Sequence, residues 1–157
     1  MKIYLSGGMA GLTFEEMSKW RNEVKAKLSG KETLGSDEQV IDHMGDFSFY
    51  DPVRRNYSQV AYDNSGIYKR MSEIVNLDYL DIAGSDVLLA LANKPSWGTA
   101  MEIHQAFMSG KIVVIISEDP KLSPWVIYHS HKVVASIDEA VAFIWELQKE
   151  FPNGYPK

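Results

Sequence analysis

The sequence predicts an α/β fold: a doubly wound, five-stranded parallel sheet in one domain spanning residues 1–157. Three observations carry that reading. Strand-like and helix-like stretches alternate along the chain. The two clearest strands, "DVLLALA" (Asp86 to Ala92) and "KIVVIIS" (Lys111 to Ser117), lack polar alternation, as strands buried on both faces do. Five strands with crossover helices favour the flavodoxin-like order 2-1-3-4-5, in which ligands bind beyond the carboxyl ends of the strands.

Met1 to Ser6 reads as a short buried strand running into Gly7-Gly8. "TFEEMSKWRNEVKAKL" follows as a helix, opened by a Thr13/Glu16 capping box. Its apolar stripe is Phe14, Met17, Trp20 or Arg21, Val24 and Leu28. Residues 29–38 are a polar connection, and "QVIDH" (Gln39 to His43) is a weak second strand. Residues 43–66 read as a long irregular loop rich in Asp, Asn, Ser, Gly and aromatics, which in a compact domain points to function or mobility. Ile67 to Ala83 is helical, followed by the Asp86 strand. "GTAMEIHQAFMSG" is a helix closed by Gly110, and the Lys111 strand follows it. "HKVVAS" is a weaker fifth strand, and a final helix opens on a second capping box, Ser136 and Glu139.

Composition narrows the function. The net charge of −5 argues against a non-specific nucleic-acid binder. Without cysteine, neither thiolate catalysis nor a Cys-based zinc site is available. The apolar part of "MKIYLSGGMAG" is too short for a secretion signal, and no run approaches the roughly 18 apolar residues of a membrane span. A soluble, cytoplasmic protein with no membrane partner is the expectation.

Three stretches converge on the mouth of the predicted sheet: "SGGMAG", "NKPSWGTAME" and "SEDPKLSPW". The first suits either a tight turn or a backbone that approaches a ligand closely. It lacks the first glycine of the dinucleotide fingerprint, because Ser6 stands there, and no P-loop motif is present. Glu102 has two readings. Thr99 and Glu102 form a T-x-x-E capping pattern; alternatively, Glu102 is a carboxylate nucleophile that the positive end of the helix keeps ionised. Asp86 suits strand-entry capping, and Asp78 and Asp81 suit a solvated helix face. His43, His104, His129 and His131 match no metal-binding spacing. Arg54 and Arg55 could meet a phosphate or carboxylate or be exposed loop charges, and Phe47, Phe49, Tyr50, Tyr57 and Tyr62 could stack on a base, pack in a core or form a subunit contact.

Together, "KIYLSGGMAG", "NLDYLDIAGSDVLLA" and "PSWGTAMEIHQAFMSGKIVVII" resemble the nucleoside 2-deoxyribosyltransferase family, including relatives that hydrolyse the N-glycosidic bond of deoxynucleoside monophosphates. The resemblance runs from residue 2 to about residue 116 and is weakest over 30–66. It implies a flavodoxin-like fold and cleavage of the C1′–N bond through a deoxyribosyl-enzyme ester on Glu102. Tyr4 would orient that carboxylate, and Asp78 would bind or protonate the base. Gly7 and Gly8 would line the sugar pocket, with Ser96, Gly98 and Met101 as further substrate-binding positions. The best-known transferases carry aspartate where this chain has Ser96; the hydrolases carry serine there, as part of a phosphate site. The hydrolases' arginine-containing first loop has no counterpart in "SGGMAGLT". No metal or cofactor is implied. A homo-oligomer is, because family members build active sites at subunit contacts. A third reading is a nucleotide-binding module that kept the fold without the chemistry.

Overall fold

The computed structural model describes residues 1–31, 43–55, 67–119 and 121–156. The chain runs β1 (Lys2–Gly7), α1 (Phe14–Leu28), β2 (His43–Met44), β3 (Phe47–Tyr50), a 3-10 turn (Pro52–Arg55), α2 (Ile67–Gly84), β4 (Val87–Leu91), α3 (Trp97–Met108), β5 (Ile112–Ile116), α4 (Pro124–Tyr128), β6 (Lys132–Val134) and α5 (Ile137–Glu150). The sheet order is β2-β3-β1-β4-β5-β6. Five strands, β3-β1-β4-β5-β6, are parallel, and β2 is a short antiparallel addition at the β3 edge. The predicted order 2-1-3-4-5 is therefore present.

The second parallel strand is not where the sequence suggested. It is Phe47–Tyr50, inside the stretch read as an irregular loop. Gln39 to Asp42 of the expected strand lie outside the described residues, and His43 belongs to β2. Four residues between Asp46 and Asp51 gave too little periodicity to register, yet Phe47 and Phe49 alternate into the core and are buried. Of the readings open for Phe47 and Phe49, core packing is the one the structure bears out. Tyr57 and Tyr62 fall outside the described residues.

Each face of β1 meets a different helical layer. Ile3 and Leu5 join Trp20, Val24 and Leu28 of α1 and Ala140, Ile144 and Leu147 of α5 in one core cluster. Tyr4 packs on the other face with Ile82, Leu88, Ala90, Ile103 and Ala106, between α2 and α3. Thr13 and Glu16 form the predicted capping box on α1. At α5, Ser136 accepts the Glu139 N–H, but Glu139 reaches back to the Ala135 N–H, one residue beyond the usual partner. Gly110 ends α3 at φ 70°, where a glycine is favoured.

Candidate active site

β1 is the switch point of the sheet. It lies between β3 and β4, so the loop after it and the loop after β4 leave in diverging directions and open a crevice at their carboxyl ends. Gly7 and Gly8 lie on one side of that crevice and Ser96 on the other. A Cβ on Gly8 would come within 3.5 Å of Ser96 Cβ. A Cβ on Gly7 would meet the Trp20 ring at 3.0 Å, tighter than most real contacts, so the ring would have to give. Gly7 is thus favoured by close packing, and at Gly8 the β4–α3 loop comes within ordinary contact distance.

Glu102 reaches this crevice from α3. The capping reading fails on geometry: the N-cap of α3 is Ser96, whose Oγ accepts the Thr99 N–H. Glu102 therefore lies in the second turn, past the orphan N–H groups a cap would serve. Thr99 is buried, and its hydroxyl has no hydrogen-bond partner within the described structure. The Glu102 carboxylate is instead gripped by two hydroxyls of β1. Tyr4 Oη donates to Oε1 at 3.1 Å, and Ser6 Oγ makes a short bond to Oε2. Tyr4 and Ser6 share a face because side chains of a strand alternate, and both are fully buried.

The electrostatics also differ from expectation. The helix terminus was expected to keep Glu102 ionised, but burial dominates and pushes its carboxyl up to about 7. The Asp78 charge pushes the same way, while the Ser6 and Tyr4 hydroxyls and the Arg21 guanidinium pull it back. Asp78 is not on a solvated face: it is buried on α2, close enough for its charge to act on Glu102. Asp86 sits at the opposite end of the sheet, where its carboxylate accepts the Lys2 N–H at 2.8 Å. That matches strand-entry capping.

Tyr4, Gly7, Gly8, Asp78, Ser96 and Glu102 thus gather around one crevice. Gly98 and Met101 stand on the exposed side of α3, with Met101 57% exposed. Arg54 is exposed, and the Arg55 side chain is not among those described. His129 pairs with His104 and with the Trp125 carbonyl, while His131 accepts the Val113 N–H. Among the described residues no three His, Cys, Asp or Glu side chains are placed to hold a metal ion.

Two features escaped the sequence reading. Ser6 was available from alternation, two residues from Tyr4. Arg21 is fully buried, and Asp51, just beyond β3, pairs with both Arg21 and Lys25. A cation on the apolar stripe of α1 was the signal; its acidic partner lay in a stretch with no visible pattern.

A cavity of about 410 Å³ lies on the other flank of α3, between the β4–α3 loop and α4. Lys94, Trp97, Thr99, Lys121 and Trp125 help line it, and it shares Ser96 with the crevice but not Glu102. Its volume suits a small-molecule site. Chemistry favours the crevice, because Glu102, the buried Asp78, the hydroxyls bound to Glu102 and the glycine turn are all there.

No protein-family model matches the chain, and no curated protein matches it in sequence. Solved structures do match in fold. A 2-deoxyribosyltransferase from Bacillus psychrosaccharolyticus aligns with a TM-score of 0.63 at 18% identity, covering 90% of each chain. A conserved protein from Enterococcus faecalis V583 gives 0.59 at 18% identity, over 93% of this chain and 98% of that one. The CMP N-glycosidase BcmB of Clostridium botulinum gives 0.51 at 17% identity, over 94% and 99%. The chain shares the flavodoxin-like fold of these proteins, and the family its sequence resembles stands among its structural neighbours.

Proposed function

We propose that the protein is a nucleoside 2-deoxyribosyltransferase with Glu102 as its nucleophile. One observation carries the reading: a half-buried carboxylate held by two fully buried hydroxyls, Tyr4 and Ser6, at the switch point of the sheet. A carboxylate so placed would stabilise an oxocarbenium-like transition state and then bond to it. The C1′–N bond breaks as a C1′–O bond to Glu102 forms, and the leaving base takes a proton from Asp78. An acceptor base then attacks C1′, frees the Glu102 carboxylate and returns a proton to Asp78. No metal or cofactor enters these steps. Gly7, Gly8 and Ser96 would contact the sugar, and Gly98 and Met101 on exposed α3 would contact substrate through an oligomer contact.

The likeness to a 2-deoxyribosyltransferase and to a CMP N-glycosidase supports chemistry at an N-glycosidic bond. A second reading, hydrolysis of a deoxynucleoside 5′-monophosphate, is favoured by Ser96. Its hydroxyl caps α3 beside Gly8, and a helix N-terminus suits a phosphate.

Chromatography of deoxyinosine with adenine, beside donor alone and beside a deoxynucleoside monophosphate, tests both. Deoxyadenosine formed only with acceptor is the expected result. Free base released from the monophosphate without acceptor would replace transfer by hydrolysis. No product in any tube would leave a nucleotide-binding module. Because Glu102 must be ionised to attack, kcat/KM should rise with pH through about 7.

A further inference from the structure

Arg21 belongs to the helix that carries the core stripe of α1, yet its side chain is fully buried and charged. Its Nη2 donates to the Gly7 carbonyl at 3.1 Å, and Nη1 donates to the Met17 carbonyl. Its Nε lies 3.3 Å from Asp51 Oδ1, an ion pair without hydrogen-bond geometry. Lys25 Nζ donates to the other Asp51 oxygen at 2.7 Å. The guanidinium also lies over the Trp20 ring, 4.7 Å from its centroid. Two cations and one anion are thus buried together directly beneath the glycine turn.

Stability does not explain this cluster. Desolvating buried charges costs about as much as their attraction returns, and an apolar trio of similar volume would serve a core at least as well. What the cluster supplies is position and sign. Arg21 of α1 reaches the Gly7 carbonyl through a turn with little room for a side chain, since a Cβ there would press on Trp20 at 3.0 Å and on the guanidinium at 3.4 Å. Gly7 is bonded to Ser6, whose hydroxyl grips Glu102. Arg21 and Lys25 share the single Asp51 carboxylate, so one positive charge of the cluster is left over, and the Arg21 guanidinium acts on Glu102.

We propose that Arg21 is the positioning residue of this site: anchored by Asp51, its guanidinium holds the Gly7 carbonyl, and through it the Ser6 hydroxyl, against Glu102. The inference rests on Glu102 being the reactive carboxylate. The groups that face Glu102 are Tyr4 and Ser6 of β1, Asp78 of α2 and Arg21 of α1. Those that face Arg21 are Asp51, Glu102, Tyr4 and Lys25, the last through their shared Asp51. Beside Tyr4 and Ser6, β4 presents only Leu88 and Ala90.

The experiment is carbon NMR titration of the Glu102 side-chain carboxyl in the full chain, assigned with Glu102→Gln. It needs no substrate, so a wild type without turnover would defeat the transferase reading and leave this measurement standing. Arg21→Met should raise the midpoint above the wild-type value of about 7, and its Lys25–Asp51 pair still balances. Arg21→Lys keeps the charge but cannot span both Gly7 and Asp51, and should fall between the two. Asp51→Asn leaves both cations unopposed and should lower the midpoint. If the wild type turns over, the acid limb of kcat should move with each midpoint while KM changes little. Opposite shifts for Arg21→Met and Asp51→Asn would not arise from general loosening. An unchanged midpoint in folded Arg21→Met, or a rise in Asp51→Asn, would overturn the proposal. So would failure of both Arg21 variants to fold, which would make Arg21 a folding residue only.

Discussion

Glu102 occupies a place that resists its charge, and that has a measurable sign. Its folded carboxyl is raised from 4.5 to about 7. Below 4.5 the folded and unfolded chains both hold the proton, and Glu102 costs nothing. Between 4.5 and about 7 the unfolded chain ionises first, so stability falls as pH rises; above that the penalty is constant. The full penalty is of the order of about 3 kcal/mol. Glu102→Gln removes it and should abolish turnover. The melting temperature of the variant relative to wild type should therefore climb across that window and then level off. A cap would behave oppositely, losing about 1 kcal/mol on substitution while activity survived. Melts followed by circular dichroism across the window separate the two. The hydroxyls make a second prediction. Ser6 and Tyr4 both favour the ionised carboxylate, and a hydrogen bond to a charged group contributes about 1.5–3 kcal/mol. Ser6→Ala and Tyr4→Phe should each lower kcat/KM roughly 10- to 100-fold and move its acid limb upward. A loss of rate with an unmoved limb would argue against both contacts.

At the scale of elements, what could be read in the sequence followed the length of the repeating pattern. β4 and β5 are apolar for five residues each, and α1 and α5 announce themselves through capping pairs, so all four were visible. β3 has four residues and was lost in a polar stretch. The start of α3 was misread because two hydroxyl residues compete to cap it: Thr99 has an acid three positions on, but Ser96 has the extended backbone that a cap needs. That error changed the meaning of Glu102, since a capped start at Thr99 would have left its carboxylate facing backbone. The acids and the tyrosine of the site were legible through family resemblance. The Arg21–Asp51–Lys25 cluster was not, because its partners are separated by residues 32–42 and by a strand that gave no pattern. Ser96 now carries a prediction of its own. Ser96→Ala should cost about 1 kcal/mol of stability. Ser96→Asp should keep the cap, since aspartate serves equally well there, while its charge repels a 5′-phosphate. If the protein works on monophosphates, Ser96→Asp loses that activity at unchanged melting temperature; if it works on free nucleosides, the rate holds or rises.

The whole molecule is unequal on its two sides, and that inequality bears on how the site is completed. The α1/α5 layer shows solvent few large apolar side chains, with Phe14 at the start of α1 the main one. The opposite layer shows many: Leu80 on α2 is 68% exposed, Trp97 and Met108 on α3 are 93% and 67%, and Trp125 and Tyr128 on α4 are 76% and 72%. A monomer rarely leaves so many large apolar side chains of one layer to water. This face adjoins the Glu102 crevice, carries Met101 and rims the cavity lined by Trp97 and Trp125. No helix among the described residues is long and apolar enough to cross a membrane. A second copy of the chain is the occupant that the family resemblance implies, and it would bury this face while closing the crevice. Trp125→Glu should then convert an oligomer to monomers in sedimentation velocity. Its effect on the stability of the isolated chain should be small, because the ring is mostly in water. Turnover should fall with assembly and recover at protein concentrations that restore it. Phe14→Glu, equally disruptive in charge but on the other layer, should leave both assembly and turnover unchanged. Wild-type protein that sediments as a monomer at working concentration would reject the shared-site arrangement and require the single chain to enclose its own substrate.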